Sequence, residues 1–387
     1  TTGPGIAKPS IRGLSASRVI IYNQGVRLEN HQWGDEHGVG VSTSGISSVE
    51  LIKGPAYVLY GSDAMGGVLY IEPERYSSDF SVDYMGIYNS NYSGITNNLG
   101  LKGSSGDFSY VLRGNMTDNQ NFSTPDGEVE NTWLQEYDFQ GGLKYQSEKF
   151  SSDLRLSVNI SELGIPEGDE GHDDHDDHEG HEDHDDHEGH DDHEGHYQEL
   201  SHTMLTWKNN FDLGNNHDLE ITLGRQFNER KEFGGHGEEE GHDDHDDHEG
   251  HDDHEGHDDH GGSGAELDMD LTTNTIDISL TMPQSDNFNM ILGSNILSQE
   301  NKNFGHEELI PDADMNDFGV YGLGQITMEN GSALIGVRYD SRSITSEKGS
   351  ADFSNFNGSI GLKRDLGNAS LRLNLGSGYR APNLIEL

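Results

Sequence analysis

Two segments of this 387-residue chain carry most of its histidine, and a dense array of imidazole groups is metal-binding chemistry. Seventeen of the 22 histidines lie in these segments, mostly at every third position and separated by pairs such as Asp-Asp and Glu-Gly. The first His tract contains His172, His175, His178, His181, His184, His187, His190, His193 and His196; the second contains His236, His242, His245, His248, His251, His254, His257 and His260.

The composition of the tracts favours capture of a divalent transition metal. Neutral imidazole binds zinc, copper, nickel and iron, and the interleaved carboxylates attract cations from the surrounding water. In an extended chain neighbouring tract histidines would lie about 9 Å apart, so we expect bending and many interchangeable, weak to moderate sites. A solvated charge run is the alternative, but aspartate alone would suffice for that. Zinc is favoured because histidine and carboxylate without sulfur suit it, although copper has the higher intrinsic affinity.

A second group of donors lies near the N-terminus, in a segment that reads as a loop. Four of them fall within seven residues: His31, Asp35, Glu36 and His37. They form either a metal site or a hydrogen-bonded loop with incidental histidines. His306, beside Glu307 and Glu308, is a weaker metal candidate. His202 and His217 are isolated on predicted strands, where a lumen-facing or interfacial position is expected.

Composition excludes several classes of protein. The formal net charge of −48 would repel a phosphate backbone, so nucleic acid is not an expected partner. The absence of cysteine excludes disulfides, thiolate metal sites and cysteine nucleophiles. No nucleophile–base arrangement is visible, so we do not expect an enzyme. No apolar run is long enough for a transmembrane helix, and no secretory signal opens the chain, which suggests a processed precursor or a fragment.

Alternating apolar and polar residues predict a long series of antiparallel strands after residue 76. In Ala369–Tyr379, for example, Leu371, Leu373 and Leu375 share one face of the strand. Thirteen strands are predicted, near 80–88, 95–103, 107–115, 135–145, 150–160, 198–211, 217–229, 265–281, 286–299, 317–328, 332–343, 355–365 and 369–380.

The connections between these strands favour a transmembrane β-barrel over a soluble sheet. Short turns alternate with long loops, as in outer-membrane barrels, and the loops at 161–197 and 230–264 that contain the His tracts fall on the same, external side. The strand at 265–281 changes its apolar parity midway, which predicts either a β-bulge near Thr272–Thr275 or a strand projecting beyond the membrane. Because bacterial barrels have even strand numbers, we expect further strands after Leu387.

The first 76 residues resemble a known domain. The strings Ser48–Ala56 and Leu59–Val68 are similar to the plug domain of TonB-dependent outer-membrane receptors, and Tyr379–Leu387 resembles a mid-barrel motif of that family. The resemblance implies an all-β membrane barrel with an N-terminal α/β plug in its lumen. The predicted domains are the C-terminal part of a plug, 1–76, and a partial barrel, 77–387.

The resemblance also implies a function. The family lies in the outer membrane of Gram-negative bacteria, contacts outer-membrane lipid and is driven by the TonB complex of the inner membrane. Some of its receptors are histidine-rich and take up zinc. We therefore expect a receptor that takes up a divalent metal, with zinc favoured and copper, nickel or iron as alternatives. A receptor for a metal chelate, such as a siderophore or haem, and a barrel-anchored surface metal buffer are the competing hypotheses.

Overall fold

The computed structural model describes residues 8–29, 40–54, 58–61, 63–125, 127–166, 196–234 and 264–386, and these residues are almost entirely β-structure. They form a four-stranded sheet in the N-terminal part, a small hairpin of β8 (Ser123–Thr124) and β9 (Gly127–Glu128), and one antiparallel sheet of thirteen strands. The predicted number of barrel strands is therefore confirmed.

The thirteen-stranded sheet follows chain order, so every strand pairs with its neighbours along the sequence. Strands β5 and β19 form its two edges and do not pair with each other within the described residues, so the sheet is open. The strands are β5 (Ser81–Asn89), β6 (Gly94–Ser105), β7 (Phe108–Asn119), β10 (Leu134–Gln146), β11 (Phe150–Gly164), β12 (Tyr197–Gly214), β13 (His217–Phe233), β14 (Leu267–Ser285), β15 (Phe288–Asn303), β16 (Ala313–Met328), β17 (Gly331–Ser346), β18 (Gly349–Asp365) and β19 (Ser370–Gly376).

The two faces of this sheet have the chemistry of a membrane barrel. The outer face exposes apolar side chains in its middle, including Trp207 (46% exposed) and Ile335 (50% exposed). The inner face carries buried polar residues such as Asn159, Thr222 and Arg338. Because a water-soluble half-buried sheet would bury its apolar face, this inside-out distribution indicates a lipid-facing exterior and a polar lumen.

Strand β14 explains the change of parity seen in the sequence, and the predicted β-bulge is wrong. Its register with β13 is continuous from Asp218↔Thr281 to Glu232↔Leu267. On the C-terminal side of Thr272 the apolar residues Ile276 and Ile278 face outward. On its N-terminal side Leu267, Met269 and Leu271 face inward and are buried.

The inward-facing residues pack in an apolar cluster with Ile310, Met315 and Leu384. The outward-facing positions of β14 that precede Ile276 in sequence are polar: Asn274, Thr272, Asp270 and Asp268. This half of β14 therefore has the apolar-in, polar-out pattern of a soluble sheet, which agrees with the alternative prediction of a strand that projects beyond the membrane. The inversion of the pattern marks the membrane surface.

The N-terminal sheet lies inside the curve of the large sheet, and the two are joined by contacts described below. Its order is β2-β1-β4-β3, with β1 (Val19–Asn23) parallel to β4 (Gly67–Pro73), and β2 (Val26–Arg27) and β3 (Ile46–Ile52) antiparallel to their partners. Ile20, Val68 and Tyr22 form its core, with the Tyr22 and Tyr70 rings stacked 5.8 Å apart.

Helical structure in the described part of the plug consists only of 3₁₀ turns such as Ala16–Arg18, so the helical component of the predicted α/β plug is small there. No helix among the described residues is long and apolar enough to cross a bilayer. Gly67 begins β4 with φ of +132°, and a Cβ there would meet the Ile52 carbonyl oxygen at 2.9 Å. Only glycine fits this close approach of two plug strands.

Candidate functional site

An ionic junction joins the plug to the barrel wall. Asp63 Oδ2 of the plug lies 2.9 Å from Arg27 Nη1 and 3.1 Å from Arg342 Nη2 of β17. Arg342 also donates to both carboxylate oxygens of Asp317 on β16, at 2.6 and 2.7 Å. Burial alone would raise the pKa of Asp63, but the Arg342 and Arg27 guanidinium groups hold it below its usual value. The buried charges thus hold the plug in one position.

The segment after β19 turns into the lumen and reaches the same junction. Arg342 Nη1 donates to the carbonyl oxygen of Pro382 at 3.1 Å, and Leu384 is buried in the apolar cluster. Arg380 forms a two-bond ion pair with Glu386. The predicted strand at 369–380 therefore ends early, at Gly376, because the mid-barrel motif leaves the sheet edge and packs on the inner face of β14–β17.

A second set of contacts fixes the linker between plug and barrel. Glu74 accepts hydrogen bonds from Arg113 Nε at 2.7 Å and Lys102 Nζ at 2.8 Å. Partial burial raises the pKa of Glu74, but these two cations lower it below its ordinary value. Tyr76 donates to Asp153 at 2.6 Å. The linker is thereby tied to β6, β7 and β11.

Six inner-wall residues lie directly opposite one another on six adjacent strands, and we call them the polar belt. The central carboxylate, Asp138, accepts from Asn115 Nδ2 at 3.0 Å, Asn159 Nδ2 at 2.6 Å and the plug's Ser42 Oγ at 2.8 Å. Every belt residue is buried. From β6 to β13 the belt consists of Asn98, Asn115, Asp138, Asn159, His202 and Asn228.

The predicted plug donors His31, Asp35, Glu36 and His37 lie outside the described residues, but the residues on either side of them are described. Before the segment, the backbone N–H of Glu29 donates to Gln226 Oε1 on β13 at 3.3 Å, and Gln226 Nε2 donates to the Arg27 carbonyl oxygen at 2.7 Å. After it, the Gly40 carbonyl oxygen lies 3.3 Å from His202 Nδ1 on β12. Both ends of the donor segment therefore contact one hairpin, β12–β13.

The two His tracts begin and end on the same rim of the sheet. Tyr197, the first residue of β12, is paired with Gly164 of β11 and with Phe233 of β13, and Glu232 is paired with Leu267 of β14. The Tyr197 and Phe233 rings stack at 4.5 Å. The tract histidines from His172 to His193 and from His236 to His260 lie outside the described residues. His196 is described, and its carbonyl oxygen accepts from Ile165 N–H at 2.8 Å.

Two of the remaining candidates, His306 and His217, are separate from these contacts. His306 is exposed in the connection between β15 and β16, next to the exposed Glu307 and Glu308. His217 lies at the opposite end of β13 from the tracts, where its ring contacts turn carbonyl groups. His202 faces the lumen, as expected. Among the described residues no three or more His, Asp or Glu side chains are placed to hold one metal ion.

Sequence profiles identify both parts of the chain. The profile of the TonB-dependent receptor plug domain matches residues 1–68, and that of the TonB-dependent receptor-like β-barrel matches residues 72–387. This chain belongs to the TonB-dependent receptor family. It is therefore an outer-membrane protein of a receptor family, not an enzyme, as the motifs at Ser48–Ala56 and Leu59–Val68 implied.

Curated relatives match this TonB-dependent receptor over a short region. A vitamin B12 transporter, BtuB, of Photobacterium profundum is 38% identical over 61 residues, covering 16% of this chain and 10% of the relative. The heme/hemopexin utilization protein C of Haemophilus influenzae is 44% identical over 62 residues, covering 16% of this chain and 9% of the relative.

Solved structures share the fold over nearly the whole chain. The copper transporter OprC superimposes with a TM-score of 0.76 at 15% identity, covering 100% of this chain and 59% of that one. The FrpB iron transporter of Neisseria meningitidis superimposes with a TM-score of 0.73 at 14% identity, covering 96% of this chain and 59% of that one. The receptor chain thus spans about three fifths of the length of these transporters.

Proposed function

We propose that the complete protein is a TonB-dependent receptor that takes up a divalent transition-metal ion, zinc by preference, and that the two His tracts capture the ion at the cell surface. The observation that carries this proposal is the convergence of donor segments on one hairpin. The tracts are attached at one rim of β11–β14, which we take to be the external one, and the ends of the plug segment with His31 and His37 contact the inner face of β12–β13.

This arrangement supports a two-stage route. Tracts rich in imidazole and carboxylate raise the local concentration of divalent cations. Ions released from the tracts would next meet the plug segment with four further donors, because the residues that flank this segment contact the hairpin between the two tracts. Many weak sites followed by one ordered site let an ion move inward without being trapped at the surface.

Passage beyond the plug requires work on the plug. Family membership supports the TonB complex of the inner membrane as the partner that supplies it. The buried Asp63–Arg342 contact is the one that such a movement would break, since it joins the plug to the wall. The Glu74 contacts lie at the end of the plug, so β1 and β2 could move while the linker stays attached.

A metal chelate is the second candidate cargo, and one cavity favours it. A space of about 150 Å³ lies between the plug, the outer half of β14–β16 and the inward segment. Its walls combine apolar side chains, Leu271 and Ile310 among them, with charged side chains of both signs: Arg27, Arg342, Arg380, Glu29 and Asp63. Such a lining suits an organic ligand with an ionised group better than a bare ion.

A transport assay tests the proposal. Cells producing the complete protein should accumulate ⁶⁵Zn²⁺ at limiting zinc. A variant with all tract histidines replaced by asparagine should lose uptake at limiting zinc and retain it at saturating zinc, because only capture is removed. The matched control replaces His217, at the opposite end of β13, with asparagine. Equal uptake by the tract variant and the wild type at limiting zinc would exclude the capture role.

A second variant tests the plug segment and the competing hypotheses. Replacing His31 and His37 with alanine should reduce uptake at all zinc concentrations, and unchanged uptake would remove the plug site. Loss of the whole protein should impair growth when free zinc is chelated. If it instead raises sensitivity to excess zinc, the protein is a surface buffer; if only a zinc chelate restores uptake, the cargo is the chelate.

A further inference from the structure

On the outer face of the large sheet, four polar residues lie in one line across four adjacent strands, and we call them the boundary row. Each member is the register partner of the next, and all four face outward and are exposed. The row consists of Arg225 on β13, Asn274 on β14, Ser298 on β15 and Asn316 on β16. With adjacent strands about 4.8 Å apart, it is about 14 Å long.

The boundary row lies where the outer face changes from apolar to charged. Toward the short turns, the next outward residues on β14, β15 and β16 are the exposed Ile276, Ile296 and Phe318. Toward the rim that holds the His tracts, Glu300 and Asp314 follow the row on β15 and β16. The row therefore coincides with the membrane surface that the inversion on β14 marks, and its side chains lie at the level of the lipid headgroups.

Arg225 is the charged member of the row, and no carboxylate adjoins it on the outer face. The outward positions around it on β12, β13 and β14 are all neutral: Thr203, Leu205, Trp207, Leu223, Phe227, Thr272, Asn274 and Ile276. Lys231, farther along the same face of β13, is instead paired with Glu229 at 3.0 Å. In a chain with 71 acidic and 23 basic residues, this guanidinium group with neutral neighbours is available to an anion from outside the protein.

The side chains of the row match the headgroup of a phosphorylated glycolipid. An arginine side chain lays its apolar stem along an apolar surface, here Leu223 and Phe227, and extends its guanidinium group to the headgroup level. That group binds phosphate through two parallel hydrogen bonds. The amides of Asn274 and Asn316 and the hydroxyl of Ser298 both donate and accept hydrogen bonds, as recognition of sugar hydroxyl groups requires.

We propose that the boundary row binds a phosphorylated glycolipid of the outer leaflet, with Arg225 on a phosphate group and the three neutral side chains on the sugar. The inference goes beyond metal uptake and takes from the proposed function only the orientation, with the His tracts outward. Because Arg225 lies on the hairpin β12–β13 between the two tracts, the bound lipid fixes the level of their attachment in the membrane.

Four substitutions separate this site from general attraction of an anionic lipid. Arg225→Gln removes the charge, and Arg225→Lys keeps the charge but not the two-bond geometry. Asn274→Ala removes a sugar contact. Lys231→Gln is the matched control, because it removes one positive charge from the same face of the same strand.

Native mass spectrometry of the purified complete protein, titrated in detergent with diphosphorylated lipid A, measures the binding. Arg225→Gln should bind about tenfold or more weakly, because a hydrogen bond between charged groups contributes about that much. Arg225→Lys and Asn274→Ala should lie between it and the wild type, and Lys231→Gln should equal the wild type. Wild-type affinity in both Arg225 variants, or an equal loss in Lys231→Gln, would overturn the proposal.

Arg225→Gln should keep the wild-type melting temperature without lipid, since its side chain faces away from the core. If it does not fold, Arg225→Lys takes its place, and wild-type affinity in that variant would overturn the proposal.

The choice of lipid tests the chemistry of the site. Lipid A without phosphate groups should bind the wild type as weakly as diphosphorylated lipid A binds Arg225→Gln. Displacement of lipid A by millimolar inorganic phosphate would overturn a lipid site in favour of a free-anion site. Phosphatidylglycerol that binds as tightly as lipid A, with the same dependence on Arg225, would overturn the glycolipid assignment. Each of these results leaves zinc uptake by the complete protein to be decided by its own assay.

Discussion

Replacing Asp63 with asparagine should loosen the plug without unfolding the barrel. The carboxylate is 3% exposed and bonds to Arg27 and Arg342, so solvent screens it little. Breaking a buried ion pair costs about 3–5 kcal/mol. Arg342 keeps both bonds to Asp317, and Arg27 keeps its contact with Glu29, so we expect the lower end, about 3 kcal/mol. That corresponds to roughly a hundredfold higher population of the undocked plug.

Hydrogen exchange followed by mass spectrometry measures this population in the detergent-solubilised protein. Amides of β1 and β4 should exchange roughly a hundredfold faster in Asp63→Asn, whereas those of β15 should be unchanged. Asp79→Asn, which removes an exposed carboxylate from the linker region, is the matched control and should resemble the wild type. If β1 and β4 keep wild-type protection in Asp63→Asn, the ionic junction does not hold the plug and the reasoning fails.

Two further outcomes are expected. The pKa values of Asp63 and Glu74 are lowered in the folded protein. Their contribution to stability is therefore complete above the pKa values of the unfolded chain, about 4, and is lost as the pH falls further. Protection of the plug amides from exchange should be constant from pH 8 to 5 and decline below about pH 4. Protection that declines already near pH 6 would contradict this. Ile276→Lys should lower the free energy of unfolding, measured with urea in lipid bilayers, by up to about 2–4 kcal/mol. Thr272→Lys, four residues away on the same face, should leave it almost unchanged. Equal losses in the two variants would place the membrane boundary elsewhere.

The strands could be predicted because their pattern is local. Alternation along each strand and the contrast between short turns and long loops depend only on neighbouring residues, so the number of strands and the attachment of both tracts to one rim followed from the sequence. The burial of Leu267, Met269 and Leu271 could not be predicted from this local pattern, because it depends on packing against Ile310 and Leu384, which are distant in sequence. The same long-range packing draws the chain away from the wall after Gly376.

The site was predictable only in its donor types. The His tracts and the His31–His37 segment are visible as composition, but their convergence on β12–β13 depends on register and on the contacts of Glu29 and Gly40. His202 looked like an isolated strand histidine, and its parity indicated only that it faces the lumen. The Asp63 junction had a weak signal, since Arg338 and Arg342 share one parity on a strand whose opposite parity is apolar.

Metal content of the purified complete protein tests the central claim most directly. After equilibration with equal low concentrations of zinc, copper, nickel, iron and calcium and removal of free ions, inductively coupled plasma mass spectrometry should find several transition-metal equivalents per chain, zinc among them. Replacement of the tract histidines by asparagine should reduce this to about one equivalent or fewer. A wild-type protein without transition metal above background, or a tract variant that retains the full content, would contradict metal capture by the tracts.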